Sequence, residues 1–342
     1  MSTPSLSVII PTYNRSGFVR TCLLALRESG VADLEVIIVD DGGTDDTREV
    51  AAAIEPRALY LRQKNQGPAA ARNLGFERST GRYVGFLDCD DAWLPAQPAA
   101  GLDWLDLHPE VDVLFAEARM GNAVDGYRSW IESSGQARFF DLPHQADAGS
   151  RILERTALLE RMLVRNCVFL GSTLVRREAL QRSGLFDPEL CGAADWNLWL
   201  RLAAQATFAF RPEPLAIYTK HDGGMSNDDD GMSREFGEAL LRLTNQVELT
   251  PAARAIRDRQ LRHHLFGYAY RAYDRGDYRE ARRRFGRLIR ICGGDSRSLA
   301  FLAVCSAPGP LIRGTRGVIQ RLRGTQSEAV VSAAPVARAV LR

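Results

Sequence analysis

The sequence has almost no lysine, no paired cysteine motif and no long apolar run. Lys64 and Lys220 are the only lysines among 44 basic residues, a bias typical of genome composition that indicates no partner by itself. The six cysteines form no Cys-x-x-Cys pair, which argues against a zinc site or a disulfide framework and favours a reducing compartment. No apolar run reaches the roughly 18 residues of a membrane-spanning helix, and the strand-like start of the chain predicts no signal peptide.

The net charge of +2 conceals two regions of opposite charge. Residues 1–250 carry 25 basic and 36 acidic side chains, whereas residues 251–342 carry 19 and 6, so their net charges are −11 and +13. The acidic region is not expected to bind nucleic acid, and the basic region suits an anionic surface. An apolar content of 45% over 342 residues predicts a globular protein of two units.

Strand and helix patterns alternate over the first part of the chain. Short apolar, β-branched runs predict strands at residues 6–10, 35–39, 58–61 and 83–87. Apolar residues at helical spacing predict helices between them, at residues 16–29, after a cap at Thr44, and at residues 67–79. This alternation predicts an α/β fold, a doubly wound and mostly parallel sheet with helices on both faces.

Unusual polar segments follow three of the predicted strands: Pro11-Thr12-Tyr13-Asn14, Asp40-Asp41 and Asp88-Cys89-Asp90-Asp91. In such sheets, ligands bind beyond the carboxyl ends of the strands. Because unpaired buried carboxylates are costly, the aspartates at 88–91 are expected to reach water, a cation or an arginine. Carboxylates at this density suit Mg²⁺ or Mn²⁺ bound together with substrate phosphates.

The rest of the chain gives weaker patterns. Residues 111–150 have no readable pattern, residues 194–206 predict an amphipathic helix with Asp195 at its start, and the polar, glycine-rich residues 222–233 predict a mobile loop. A strand is predicted at 172–175, and further helices at 151–165, 177–183, 256–273 and 277–291. Residues 311–323 mix apolar and arginine side chains at helical spacing, which fits an anionic membrane surface as well as a solvated helix or a disordered tail.

Four segments in this order resemble the signature of the family 2 glycosyltransferases, which have the GT-A fold. They are Ser7-Val8-Ile9-Ile10-Pro11-Thr12-Tyr13-Asn14-Arg15, residues 39–47 (Val-Asp-Asp-Gly-Gly-Thr-Asp-Asp-Thr), residues 67–73 (Gly-Pro-Ala-Ala-Ala-Arg-Asn) and Phe86-Leu87-Asp88-Cys89-Asp90-Asp91. Residues 194–203 resemble the catalytic-base segment of the same family. The resemblance covers roughly residues 5–225.

The resemblance also implies a domain organisation. A GT-A domain is expected at residues 1–225, with a nucleotide-sugar half at 1–110 and an acceptor half at 111–225. A helical appendage with one helical hairpin is expected at 226–298, and a basic tail, partly disordered or lying on a membrane surface, at 299–342. The expected location is the cytoplasm, with peripheral attachment to the inner membrane face through residues 299–323.

The resemblance to this family implies that the protein transfers one hexosyl or deoxyhexosyl group and inverts its anomeric configuration. The donor would be a nucleotide-diphosphate sugar and the cofactor a divalent Mg or Mn cation. The acceptor would be a hydroxyl of a glycan or lipid-linked acceptor, as in cell-surface polysaccharide synthesis. Asp195 would be the catalytic base. The metal ligands would be Asp90, Asp88 and His221, and the nucleotide-sugar contacts would be Pro11, Tyr13, Asn14, Asp41, Arg72, Asp88 and Asp91.

Several of these roles have more than one interpretation. Tyr13 either stacks on the base or packs internally, and Arg72 is either a donor contact or a helix-surface residue. Asp91 either caps the turn or faces the sugar, and His221 either ligates the metal, touches the diphosphate or is structural. Asp41 is expected to accept a hydrogen bond from the base or the ribose.

Two residues depart from the family pattern: Gly43 replaces a usual Ser, and Ala194 replaces a usual Glu before the catalytic Asp. The Gln-x-x-Arg-Trp processivity motif is absent, which argues against a polysaccharide synthase. Two other functions stay open. A nucleotidyltransferase usually has a glycine-rich basic loop, which Pro11-Thr12-Tyr13-Asn14 does not resemble, and a non-catalytic sugar-nucleotide-binding protein would not need Asp90 and Asp195.

Overall fold

The computed structural model describes residues 4–122, 126–133, 137–147, 149–221 and 229–307. The chain forms two compact units, which divide between Arg257 and Asp258 inside a helix that spans Pro251–Asp274. The first unit contains a β-sheet covered by helices, and the described part of the second unit is helical.

The first unit is built on a mixed sheet. Its strands are β1 (Leu6–Thr12), β2 (Leu34–Asp40), β3 (Leu59–Arg62), β4 (Tyr83–Phe86), β5 (Ala92–Trp93), β6 (Val113–Asn122), β7 (Gly126–Ser129), β8 (His144–Asp147), β9 (Ser150–Leu153), β10 (Thr173–Arg176) and β11 (Phe208–Thr219). Their order is β3-β2-β1-β4-β10-β6-β11-β9-β8, with β5 beside β11 and β7 beside β6. The first four strands are parallel, β10 is antiparallel to β4 and β6, and β11 is parallel to β6.

Helices flank this sheet and form the second unit. They are α1 (Ser16–Leu26), α2 (Thr47–Ile54), α3 (Pro68–Arg78), α4 (Gln97–Leu107), α5 (Trp130–Ser133), α6 (Arg155–Val164), α7 (Arg177–Ser183), α8 (Ala194–Ala203), α9 (Asp229–Leu243), α10 (Pro251–Asp274), α11 (Tyr278–Cys292) and α12 (Ser296–Ser306). Short 3₁₀ turns occupy Ala137–Asp141 and Leu170–Ser172.

Strand β1 is buried along its whole length because helices cover both faces of the sheet. Val8 and Ile10 belong to the same buried cluster as Val19 of α1. On the opposite face, Gly75 lets α3 approach closely, since a Cβ at this position would lie 2.4 Å from Ile9 Cγ2. The layered sheet confirms the predicted fold class, a mostly parallel GT-A sheet between helices that is followed by a helical region.

Two local predictions were wrong, and one stretch that had no prediction contains regular structure. Thr44 does not cap α2, which begins at Thr47; instead the Thr44 N–H donates to Asn14 Oδ1 at 2.6 Å. The unreadable stretch at 111–150 contains β6, a long strand between β10 and β11 that depends on distant partners. Residues 229–233 are helical in α9 rather than a mobile loop, whereas residues 222–228 of that predicted loop lie outside the described residues.

The second unit packs its helices around aromatic side chains. Phe285 of α11 stacks on Phe301 of α12 with ring centroids 5.2 Å apart, and Phe266 of α10 contacts both rings. Helix α11 begins with a cap in which Asp277 accepts from the Glu280 N–H at 3.0 Å. No helix within the described residues has both the length and the apolar character to cross a membrane. The predicted basic segment at 311–323 lies outside the described residues.

Candidate active site

A cavity of about 580 Å³ opens where β1, β2, β4 and β11 end. This edge of the sheet is the position at which the sequence predicted a ligand site. The predicted site residues that line the cavity are Pro11, Tyr13, Asp41, Arg72, Asp88, Asp90, Asp91, Asp195 and His221. Asn14 is not among the lining residues, and it holds the adjacent turn through Thr44.

The acidic segment after β4 brings three carboxylates together. Asp88, Asp90 and Asp91 each offer an oxygen atom, and these atoms all lie within 4.8 Å of one another. A turn closes the segment, with the Asp91 N–H donating to the Asp88 carbonyl at 2.9 Å. The turn therefore directs side chains that are close in sequence toward one point.

Two guanidinium groups and one imidazole surround these carboxylates. Arg15 Nη1 and His221 Nε2 both contact Asp90 Oδ2, the latter at 2.8 Å. Arg72 is buried, and its Nη2 contacts Asp88 Oδ1. The Arg72 guanidinium also lies over the ring of Phe186, 5.4 Å from the centroid. Arg72 is therefore not a helix-surface residue, because α3 presents it to the interior of the site.

Asp91 differs from the other two aspartates because it is buried. Its Oδ1 accepts from the Thr219 N–H at 3.1 Å, which ties the end of β11 to the acidic segment. Burial, followed by the charges of Asp88 and Asp90, raises the pKa of Asp91 well above its usual range. Asp91 thus fixes the strand end that carries His221.

The donor set suits a hard divalent cation. Carboxylate oxygens are the ligands that Mg²⁺ and Mn²⁺ prefer, and a cation would offset the repulsion among the three aspartates. Asp88 and Asp90 are only partly buried and face the cavity, where a cation can enter with its substrate phosphates. The residues present therefore fit the metal that the family implies.

Asp195 lies at the start of α8, in the same cavity. Its Oδ1 accepts from the Trp196 N–H at 2.7 Å, and its Oδ2 accepts from Asn166 Nδ2 at 3.4 Å. Burial raises the pKa of Asp195 to about 6, an effect that Arg72 partly opposes. A carboxylate with a pKa near neutrality is well suited to accept a proton in a reaction.

Helix α8 confirms the predicted helix with Asp195 at its start, although the helix is buried rather than amphipathic. All of its residues except Asp195 are buried. The Trp196 indole N–H donates to the Met162 carbonyl at 2.8 Å. The buried Arg201 guanidinium donates to the carbonyls of Ser183, Gly184 and Leu185 and to Asn197 Oδ1. These contacts fix the helix start that carries Asp195.

The ends of β1 and β2 form the opposite part of the cavity. Tyr13 is 49% exposed, so it is available for stacking rather than packed internally. Asn14 adopts a left-handed conformation with φ of 51°, which Asn tolerates better than most residues. Asp41 accepts three hydrogen bonds, from the N–H groups of Gln66 and Gly67 and from Gln63 Nε2. Asp41 therefore shapes the loop before α3 as well as lining the cavity.

The two departures from the family pattern have local explanations. A Cβ at Gly43 would lie 2.9 Å from Asp40 Oδ1 and 3.0 Å from Asn14 Oδ1, so this turn is packed around a glycine. Ala194 is buried at the start of α8, where the charge of a glutamate would need a partner.

Several residues that line the cavity were not predicted as site residues, among them Arg15, Trp130, Asn166, Phe169, Tyr218 and Lys220. Arg15 belongs to the first quoted motif, and its position there was the available indication. Lys220 is one of two lysines in the chain and precedes His221, which also could have singled it out. Trp130 and Asn166 lie in segments without a recognisable motif, and only the fold brings them to the site.

The sequence model described as Glycosyl transferase family 2 matches residues 7–183, slightly more than half of the chain. An uncharacterized glycosyltransferase of Rickettsia conorii is 26% identical over 72% of this chain and 37% of its own length. The chain thus spans little more than a third of that relative. An uncharacterized glycosyltransferase of Escherichia coli, YibD, is 45% identical over 28% of each chain.

Solved structures support the fold. The 1–349 part of TarS from S. aureus in complex with UDP-GlcNAc has a TM-score of 0.62 and 20% identity, covering 88% of this chain and 84% of that one. The mannosyltransferase PcManGT from Pyrobaculum calidifontis, in complex with GDP-Man and Mn²⁺, has a TM-score of 0.55 and 18% identity, covering 92% and 84%. From the match over residues 7–183, the chain belongs to glycosyl transferase family 2, which confirms the family predicted from the sequence.

Proposed function

We propose that this protein is an inverting, metal-dependent glycosyltransferase that moves one hexosyl or deoxyhexosyl group from a nucleotide-diphosphate sugar to an acceptor hydroxyl. The observation that carries the proposal is one cavity that contains both the acidic segment, with carboxylates within 4.8 Å, and Asp195, with a pKa of about 6. The first group suits a diphosphate with its cation, and the second suits proton removal.

The nucleotide would bind at the ends of β1 and β2. Tyr13 would stack on the base, with Pro11 beneath the same loop and Asn14 holding its turn. Asp41 already accepts three hydrogen bonds, and a carboxylate has about four acceptor positions, so one remains for the base or ribose. The UDP-GlcNAc and GDP-Man complexes of the two similar structures support a nucleotide-sugar donor.

Asp90, Asp88 and His221 would hold the cation, which neutralises the diphosphate leaving group when bound. The Mn²⁺ in the mannosyltransferase complex supports this choice of cofactor. Arg15 pairs with Asp90. When donor binds, its guanidinium would move toward the diphosphate oxygens, because these are also anionic partners. Asp91 would keep the end of β11 in place, and the part of its side chain that lines the cavity would face the donor sugar.

Asp195 would take the proton of the acceptor hydroxyl. The acceptor oxygen forms a bond to the anomeric carbon while the bond from that carbon to the diphosphate oxygen breaks, and the electron pair leaves with the diphosphate. Because no enzyme nucleophile intervenes, the anomeric configuration is inverted. Arg72 contacts Asp88 and lowers the pKa of Asp195, and so would favour the ionised form of Asp195 near neutral pH.

The acceptor would be a glycan or lipid-linked molecule of cell-surface polysaccharide synthesis. A GT-A domain up to about residue 225, with a helical appendage and a basic tail, remains our proposed organisation of these functions. The basic region from residue 251, with a net charge of +13, suits peripheral attachment at the cytoplasmic membrane face.

Donor cleavage and transfer test this function. The protein is incubated with a panel of nucleotide sugars and with Mn²⁺, Mg²⁺ or EDTA, and nucleotide diphosphate release is measured with and without polysaccharide-precursor acceptors. We expect release from one donor, dependent on metal and lost in Asp90→Ala. The matched control is Asp46→Ala, an exposed aspartate outside the cavity, which should behave as the wild type. No release together with no metal-dependent donor binding by calorimetry would contradict the proposal.

A further inference from the structure

The walls of the active-site cavity differ in chemistry. The part formed after β1, β2 and β4 carries the charged residues assigned above to the donor. The remaining part carries three aromatic residues, Trp130, Phe169 and Tyr218, which we call the aromatic wall. None of these three residues has a role in donor binding or proton transfer.

The rings of the aromatic wall contact one another. Trp130 and Phe169 have centroids 5.8 Å apart, and Phe169 and Tyr218 have centroids 5.4 Å apart at a near-perpendicular angle of 73°. All three side chains are only partly buried, so their faces remain accessible from the cavity. Partly exposed, contiguous rings of this kind are typical of a binding surface rather than of a core.

A buried carboxylate holds Trp130 in place. Glu117 of β6 accepts from the N–H groups of Trp130 and Ile131 at 3.1 and 3.2 Å, and from Ser129 Oγ at 2.6 Å. It also accepts from the Ala118 N–H at 2.8 Å. Three of these four donors lie at the β7–α5 junction, so the buried carboxylate fixes the backbone that carries the indole at the cavity.

Phe169 is held by the segment before β10. The Trp93 indole N–H donates to the Gly171 carbonyl at 2.8 Å. A Cβ at Gly171 would lie 2.9 Å from the Phe169 ring, so the glycine allows that ring to lie against the backbone. The same segment carries Asn166, which contacts Asp195. The aromatic wall is therefore joined to the proposed base through a few residues of one rigid segment.

We infer that the aromatic wall is the acceptor subsite and that it binds a pyranose ring. The inference rests on the proposed function, because it assigns the acceptor side of the same reaction. The C–H face of a pyranose is flat and apolar and matches an aromatic ring, whereas its hydroxyls need polar partners. Asn166 and Lys220 lie in the same cavity and supply such partners. A ring seated on Trp130 would direct one hydroxyl to Asp195, which takes its proton as the oxygen attacks the anomeric carbon.

Saccharide binding tests the inference without requiring turnover. Methyl α- and β-pyranosides of common hexoses are titrated by saturation-transfer NMR, with and without UDP or GDP and Mn²⁺. We expect at least one pyranoside to bind the wild type and to bind Trp130→Ala about tenfold more weakly, while Trp130→Phe retains part of the affinity. Tyr127→Ala is the matched control, since Tyr127 is an exposed aromatic of β7 outside the cavity, and it should bind as the wild type.

Every other result overturns the inference. Equal affinity of wild type and Trp130→Ala, or no pyranoside binding to the wild type, removes the subsite. Loss of UDP or GDP affinity in Trp130→Ala would assign the indole to the nucleotide instead, and binding of a prenyl phosphate in place of pyranosides would assign the wall to a lipid. Nucleotide affinity is measured by calorimetry on the same variants, and circular dichroism shows separately that they fold. Failure of the proposed function is a separate result, because it would appear as absent donor binding and cleavage.

Discussion

Asp195 has an unfavourable environment for a charge, because burial raises the pKa of its carboxyl group. A carboxyl group whose folded-state pKa is raised to about 6 stabilises the protein only while it is protonated. That contribution is fully present below the unfolded-state pKa of about 4 and is lost as the pH rises through about 6. The protein therefore retains Asp195 at a cost in stability at neutral pH.

Replacement of Asp195 by Asn should separate catalysis from stability. We expect Asp195→Asn to lower kcat by about 10²- to 10⁴-fold, the usual contribution of a general base. Between pH 4 and pH 7 the wild type should lose about 2 kcal/mol of unfolding free energy as Asp195 ionises. The variant has no group to ionise at this position, so it should gain that amount relative to the wild type. Thermal unfolding across this pH range measures the difference. A constant difference would show that the Asp195 pKa is not raised in the folded protein.

The pH dependence of the rate should report the same group. Because the ionised form accepts the proton, kcat/KM should increase with pH and level off above about 6. Arg72 lowers the pKa of Asp195, so Arg72→Gln should move this limb of the profile to higher pH. Arg78→Gln, an exposed arginine on the same helix, is the matched control and should leave the limb in place. An unmoved limb in Arg72→Gln would assign it to another group.

At the scale of the elements, the buried Arg201 connects α8 to the end of α7. Its guanidinium satisfies three backbone carbonyls and Asn197 Oδ1, and burial lowers its pKa to about 10. Removing this group leaves several buried acceptors without donors, which costs more than the interaction itself contributes. The position of Asp195 depends on this anchor.

Arg201→Met should therefore destabilise the protein by about 3 kcal/mol or more. Arg182→Met is the comparison, because Arg182 is an exposed arginine of α7 that contacts Asp112 at 2.6 Å and should cost less than about 1 kcal/mol. Denaturant unfolding of both variants measures the two values. Equal costs would mean that the carbonyls of residues 183–185 find other donors.

The elements that the sequence predicted well are those with local patterns. Strands β1 to β4 and helices α1 and α3 have continuous apolar runs or helical spacing, and their ends carry the motifs that identified the family. Strand β6 was missed because Glu117 and Arg119 interrupt its apolar pattern, and it is a strand through its pairing with β10 and β11. Helix α9 was partly missed because its start is polar and glycine-containing.

In the candidate site, too, the residues that were predicted are those that lie in local sequence motifs. Asp88, Asp90 and Asp195 were predicted because they lie in motifs, and the structure brings them to one cavity. Trp130 and Asn166 reach that cavity from segments with no motif, through contacts between residues far apart in sequence. Local motifs thus predicted the acidic residues of the cavity, whereas the aromatic wall depends on the tertiary fold.

At the scale of the whole molecule, charge is divided along the chain. Residues 1–250 have a net charge of −11 and contain the site residues, whereas residues 251–342 have a net charge of +13. In the second unit, arginines 279, 282, 283 and 290 of α11 are exposed, on the side away from its buried residues Ala281, Phe285 and Leu288. An anionic membrane surface would attract this basic region.

Binding to anionic vesicles should therefore depend on the C-terminal basic region. We expect the full chain to float with vesicles that contain anionic lipid, to be released as salt screens the charges, and to remain unbound with neutral vesicles. A chain ending at residue 307 retains α10 to α12 but loses six arginines and one glutamate, so its recovery with vesicles should decrease. Unchanged recovery would assign the attraction to the exposed arginines of α11, which substitution of Arg279 and Arg283 by Gln would then test. If neither the truncation nor these substitutions changed recovery, or if the full chain stayed in the soluble fraction, membrane attachment through this region would be wrong.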